Sequence, residues 1–205
     1  ALKAMGYDES VFKVMLIQFV SLKRGGEKVS MSTRSGEFET LADVIKDVGL
    51  DATRFFFLMR SSDTHLDFDL ELAKKESADN PVFYIQYAHA RICSIFRKAT
   101  ENGIKLLDSA DIDLSPLKNE EEFIMIKKIL SFGETIEKSA ELLEVHRIAF
   151  YLQDLVGTFH RYYSRNRIVS DDHALSSARL FLMNCLRITI RNGLSVMGVS
   201  APDRM

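Results

Sequence analysis

From residue 81 to residue 197 apolar residues recur at helical spacing in four long runs, about 81–101, 119–143, 146–166 and 172–197, with one substantial connector between 102 and 116. A chain patterned this way has to bury several amphipathic helices against one another, which predicts a mainly α architecture built on a helical bundle. The first run opens on Asn80-Pro81, and proline at a helix start pre-sets the backbone angle at a position whose N–H would go unpaired. In that run Ile85, Ala88, Ile92, Ile95, Phe96 and Ala99 make one stripe, a face for the core. Tyr84, Tyr87, Arg91 and Lys98 fall within about 60° of one another on a second face, roughly 110° away. Two aromatics with two cations suit unpaired nucleic-acid bases. Tyrosines beside a buried stripe also serve as boundary residues, with the ring packed and the hydroxyl wet.

In the third run Ile148, Leu152, Leu155, Phe159 and Tyr162 share one face, while Arg147, Arg161 and Arg165 share another with Asp154. The last run is apolar nearly all round, which predicts that it is the central, buried helix. Before residue 78, where the composition suggests a domain boundary, the pattern is mixed. Val11–Leu22 is a β-rich run that ends in the turn-forming Lys23–Lys28, with Val29–Met31 as the returning strand of a hairpin. Thr40 with Asp43 three residues on predicts a capped helix to about Val48, ended by Gly49. Asp51–Arg60 reads as a short, capped and very apolar helix, Ser61–Asp69 as a loop in which Asp67 and Asp69 bracket a buried Phe68, and Leu70–Lys75 as a helical turn.

Composition narrows the chemistry. The chain is 46% apolar and 27% charged, ordinary globular values that supply a core. Residues 146–205 carry eight arginines against four aspartates, a local balance of +4 on a chain whose net charge is −2. A basic end of that kind allows a phosphate-binding surface. Cys93 and Cys185 sit on predicted helices among apolar neighbours, which predicts reduced thiols and a cytoplasmic setting. No Cys/His cluster offers metal spacing, the five histidines included, and no nucleophile–base constellation stands out. No uncharged run reaches the roughly 18 residues of a membrane span. The chain begins at Ala1 in what reads as the end of a helix, the expectation for a piece of a longer protein. Lys28-Val-Ser-Met-Ser-Thr-Arg-Ser-Gly collects hydroxyls, cations and a glycine, a composition able to wrap phosphate oxygens.

Several of these stretches converge. Gly25-Gly-Glu, Met31-Ser-Thr-Arg, Asp51-Ala-Thr-Arg-Phe-Phe-Phe-Leu-Met-Arg-Ser, His65-Leu-Asp-Phe-Asp, Asp79-Asn-Pro-Val-Phe-Tyr-Ile-Gln-Tyr-Ala-His-Ala-Arg and Gly198-Val-Ser-Ala-Pro-Asp-Arg-Met, in that order, closely resemble the arginyl-tRNA synthetases. The resemblance implies a helical anticodon-binding domain over residues 79–205, preceded over 1–78 by a small α/β remnant of a class I catalytic domain. That remnant would hold the ATP loop and stem-contact elements. Ser30, Met31, Ser32, Thr33 and Arg34 match the Lys-Met-Ser-Lys-Ser loop of class I enzymes in part. Ser30 and Thr33 stand where the two lysines would be, which leaves Arg34 or Lys28 to supply a cation. No His-x-Gly-His element is present, so the resemblance implies no complete catalytic set and no activity for this stretch alone. It implies tRNA-binding roles for Tyr84, Tyr87, Arg91 and Met205. ATP and Mg2+ would serve the full-length enzyme, with no cofactor or metal held by this part. The partners implied are an arginine tRNA and the N-terminal catalytic region of the same polypeptide, with neither DNA nor membrane. A free-standing RNA-binding helical module is the alternative.

Overall fold

The computed structural model describes residues 2–29, 39–104 and 112–205. After two short 3-10 turns, Lys3–Met5 and Glu9–Val11, strand β1 (Val20–Arg24) pairs antiparallel with β2 (Glu27–Lys28) and parallel with β3 (Leu66–Asp69), in the order β2-β1-β3. Between the strands lie α1 (Leu41–Val48) and α2 (Leu50–Leu58), and after them α3 (Leu70–Lys74). The bundle follows as α4 (Pro81–Glu101), α5 (Glu120–Leu130), α6 (Phe132–Leu142), α7 (His146–Arg165) and α8 (His173–Val196). The mainly α expectation holds. One apolar core runs without a break from Leu22 of β1 through Phe55 and Phe68 to Leu194 and Val199.

Five local expectations are revised. The predicted strand over Val11–Leu22 contracts to Val20–Arg24, because only there does another strand lie alongside, β3 beside Val20–Lys23 and β2 beside Lys23–Arg24; Phe12, Leu16, Ile17 and Phe19 lie exposed. The returning strand starts at Glu27 rather than Val29, since Gly25 and Gly26 at φ 62° and 89° close a two-residue turn that places Arg24 opposite Glu27. Part of the predicted loop 61–69 is β3, which sets the fully buried Phe68 beside Leu22 and against Phe56 and Phe57. The acids bracketing it find separate work: Asp67 pairs with Lys23 at 2.7 Å, and Asp69 caps α3 by accepting from the amides of Glu71 and Leu72.

The predicted single helix 119–143 divides at Ser131. In a continuous helix the Lys128 carbonyl would accept an amide one turn on; here it accepts the Ser131 hydroxyl at 2.9 Å and the Tyr151 hydroxyl at 2.8 Å. The central helix is α7, not α8. α7 packs against α2, α4, α5, α6 and α8, and its predicted stripe of Ile148, Leu152, Leu155, Phe159 and Tyr162 is wholly buried. α8 keeps Ile188, Arg191 and Val196 in solvent. α7 and α8 approach closely enough that a Cβ on Gly193 would lie 2.8 Å from Leu152 Cδ2.

Candidate nucleic-acid interface

Asn80 starts the site. Its Oδ1 accepts from the amides of Val82 and Phe83, capping α4, while its Nδ2 donates to the carbonyls of Ala73 at 3.0 Å and Lys75 at 2.9 Å. One buried side chain thus fixes where α4 begins and how it leaves α3. The predicted core stripe of α4, Ile85 to Ala99, is buried against α7 and α8.

On the second face Tyr84, Tyr87 and Arg91 come together with residues of α7. The Tyr84 ring lies 4.5 Å from that of His160, centroid to centroid. Tyr87 stacks on Phe83 at 6.1 Å with an 8° tilt, and on His160 at 6.0 Å with a 19° tilt. Arg91 donates to the Tyr87 hydroxyl, and its guanidinium sits 4.8 Å from the Tyr87 ring centre and 5.0 Å from that of Tyr163. Tyr84, Tyr87 and Arg91 are half-buried, so the two rings and the guanidinium are seated by the protein and keep part of their surface in solvent. Arg161 joins the rim next to the Tyr84 hydroxyl and donates to Thr158 Oγ1 at 3.3 Å. Burial pushes the Tyr84 phenol above its ordinary value, with the Arg161 charge acting in the opposite sense. Such a patch offers flat π faces flanked by cations and no reactive nucleophile. It can stack and neutralise.

Sequence reasoning missed Phe83, His160 and Tyr163. Phe159, His160 and Tyr163 cluster on α7, but only the crossing of α4 over α7 shows that His160 fills the space between the two tyrosines. Its Nε2 is buried with no hydrogen-bond partner. Burial holds the imidazole below its ordinary value of 6.5; the Tyr84 backbone opposes that and the Arg91 charge adds to it. The unfolded chain therefore binds more protons between the folded value and 6.5, so stability is complete above that window and declines as pH falls through it. The urea midpoint should drop between pH 7.5 and about pH 5 less in His160→Phe than in the unaltered protein. Equal drops would show that His160 does not carry this dependence.

Arg165, from the arginine face of α7, is paired with Glu121 at 3.3 Å. Ser30, Met31, Ser32, Thr33 and Arg34 lie outside the described residues. Met205 is exposed. It follows a tail, residues 198–203, fastened along Gln86, His89, Cys93 and Arg97 of α4, which helical geometry sets about 150° from the Tyr84–Tyr87–Arg91 face. Both cysteines are free, as expected. Against the expectation of no Cys/His cluster, the tail gathers His89, Cys93 and Asp203, whose donor atoms lie within 4.8 Å of one another. His89 and Cys93 are four apart on one helix, a spacing the sequence did contain. His89 Nδ1 is 3.0 Å from the Pro202 carbonyl, and the Cys93 thiol donates to Asp203 at 3.3 Å. Burial, then Asp203, pushes that thiol up, with Arg187 pulling the other way. The guanidinium groups of Arg97 and Arg187 flank the cluster, so it works as a hydrogen-bonded fastening and is a poor seat for another cation. Among the described residues no helix is long and apolar enough to cross a membrane.

The profile of the DALR anticodon binding domain matches residues 85–205. A protein of Syntrophotalea carbinolica named arginine–tRNA ligase is 51% identical over 94% of this chain and 35% of its own length. The chain spans about a third of the length of the curated relatives it matches. A Campylobacter jejuni crystal structure superposes over 100% of this chain and 43% of its own, with a TM-score of 0.85 and 32% identity. The Thermus thermophilus arginyl-tRNA synthetase superposes over 84% of this chain and 29% of its own, with a TM-score of 0.66 and 28% identity.

Proposed function

The chain belongs to the DALR anticodon binding domain family, and from that membership we propose that it grips the anticodon region of an arginine tRNA on behalf of a longer arginine–tRNA ligase. The observation that carries the reading is the aromatic and cationic patch of Tyr84, Tyr87 and Arg91, seated on His160 and Tyr163 inside the segment the family profile matches. Anticodon-loop bases unstack from one another and restack on the tyrosine rings, while Arg91 meets a base edge or phosphate. Met205 would make a separate contact from the tail side of α4. The longer protein would join arginine to this tRNA with ATP and Mg2+ in the cytoplasm. In it residues 1–78 close the catalytic region, with Ser30–Arg34 over ATP, and residues 79–205 form the anticodon domain. The names and threefold greater length of the relatives support this over a free-standing RNA-binding module.

Binding of arginine tRNA measured by filter retention across salt concentrations tests the proposal. Affinity should fall steeply with salt, with a log–log slope of about −0.7 to −0.9 per phosphate neutralised. It should exceed the affinity for a tRNA of unrelated anticodon. Equal retention of heparin and of both tRNAs would overturn it.

A further inference from the structure

The tail that leaves α8 ties together the two parts of the molecule. Gly198 turns the chain out of the helix at φ 66°, and its carbonyl accepts from Arg54 of α2 at 3.2 Å; a Cβ there would fall 2.2 Å from Arg54 Nη1. Two residues on, the Ser200 amide donates to Asp51 Oδ1 at 3.1 Å and its hydroxyl donates to Asp51 Oδ2. Gln86 of α4 reaches the same place, its Nε2 donating to Asp51 Oδ2 at 2.8 Å and to the Ser200 carbonyl at 2.9 Å. Beyond it Pro202 meets His89, and Asp203 meets Cys93 and Arg97. Asp51 was expected to cap α2, but Gly49 holds the cap position and the Asp51 carboxylate is free for this long-range task. It sits in the first turn of α2, where the helix dipole favours a negative charge.

Apolar packing already joins α2 to α4 and α7, but burial of apolar surface is non-directional and tolerates one helix rolling on another. Hydrogen bonds that converge on one carboxylate from a helix and a tail do not. We propose that Asp51, Gln86 and Ser200 form a clasp that sets the angle between the α/β part and the bundle, so that one tRNA can engage both parts at once. The proposal rests on the tRNA reading above. Asp51 acts through Ser200 and Gln86 and is a positioning residue. The clasp lies on the face of α4 turned away from Tyr84, Tyr87 and Arg91, so loosening it leaves the stacking patch intact while reducing the effective concentration of the second contact.

The test compares Asp51→Asn with the unaltered chain for whole arginine tRNA and for its isolated anticodon stem-loop. Whole-tRNA affinity should fall about tenfold and stem-loop affinity change by less than about twofold, because only the whole molecule spans both parts. Equal changes for the two ligands, or none for either, would overturn the clasp. Ser200→Ala, which removes one hydroxyl, should shift whole-tRNA binding in the same direction by less; a shift confined to the stem-loop would count against the proposal. A spin-label pair introduced at exposed positions 46 on α1 and 137 on α6 reads the angle without RNA, and its distance distribution should broaden in Asp51→Asn. An unchanged distribution would overturn the clasp whatever the RNA data. Failure of the unaltered chain to bind the stem-loop would instead remove the tRNA reading and leave the clasp to be judged by the distance distribution.

Discussion

Glu122→Ala should destabilise the protein by about 3–5 kcal/mol, the range for breaking a buried ion pair by removing one partner. Glu122 is fully buried and serves three helices. Its Oε2 accepts the Asn119 amide at 3.1 Å, closing the capping box of α5. Its Oε1 accepts the Tyr162 hydroxyl of α7 at 2.5 Å and Arg179 Nε of α8 at 2.8 Å. Burial first, and then the Glu122 carboxylate, push the Tyr162 phenol far above its ordinary value, so it stays a neutral donor. Removing the carboxylate leaves the phenol without its acceptor and leaves Arg179, whose side chain is only 14% exposed, with the Arg167 carbonyl but no counter-charge. The measurement is the urea midpoint at constant m-value. The double variant Glu122→Leu with Arg179→Met should recover part of the loss, because an apolar replacement leaves no buried charge unpaired. A single variant with an unshifted midpoint would show that water reaches this cluster.

Tyr87→Ala should weaken tRNA binding by about 1–3 kcal/mol, the usual value of one base stacked on an aromatic ring. Each 1.4 kcal/mol is about tenfold. Tyr87 is the middle ring of the patch, between Phe83 and His160, with Arg91 over its face. Tyr87→Phe keeps the ring and loses only the hydroxyl that Arg91 donates to, so its affinity should stay within a few-fold. Arg91→Ala should weaken binding too, with a salt slope flatter by about one contact if Arg91 meets a phosphate and with relaxed discrimination between tRNAs if it meets a base edge. Unchanged affinity in Tyr87→Ala with a normal urea midpoint would return Tyr87 to the role of a boundary tyrosine that only covers the core.

Much of the fold was legible because its signals are local. The α4 and α7 stripes follow from a period near 3.6, and the Thr40–Asp43 capping box forms as spaced. The Gly25-Gly26 turn was legible too, because φ above zero at both central positions selects glycine. What failed was length and partnership. A β-rich run becomes strand only where another strand lies alongside, and β3, which lies beside β1, is more than forty residues away in the chain. The break at Ser131 escaped because the second hydroxyl on the Lys128 carbonyl comes from Tyr151 on another helix.

The same division runs through the site. Tyr84, Tyr87 and Arg91 share a face by helical geometry alone, and local sequence determined that they would be presented together. His160 beneath them, Glu122 serving three helices and Asp51 holding the tail depend on groups 40 to 149 residues apart in the chain. Spacing along one helix determines direction, whereas which helix crosses which is settled by the whole core at once. The sequence by itself determined a bundle with an aromatic, cationic face; only the tertiary structure decided what supports that face and that the tail is fastened behind it.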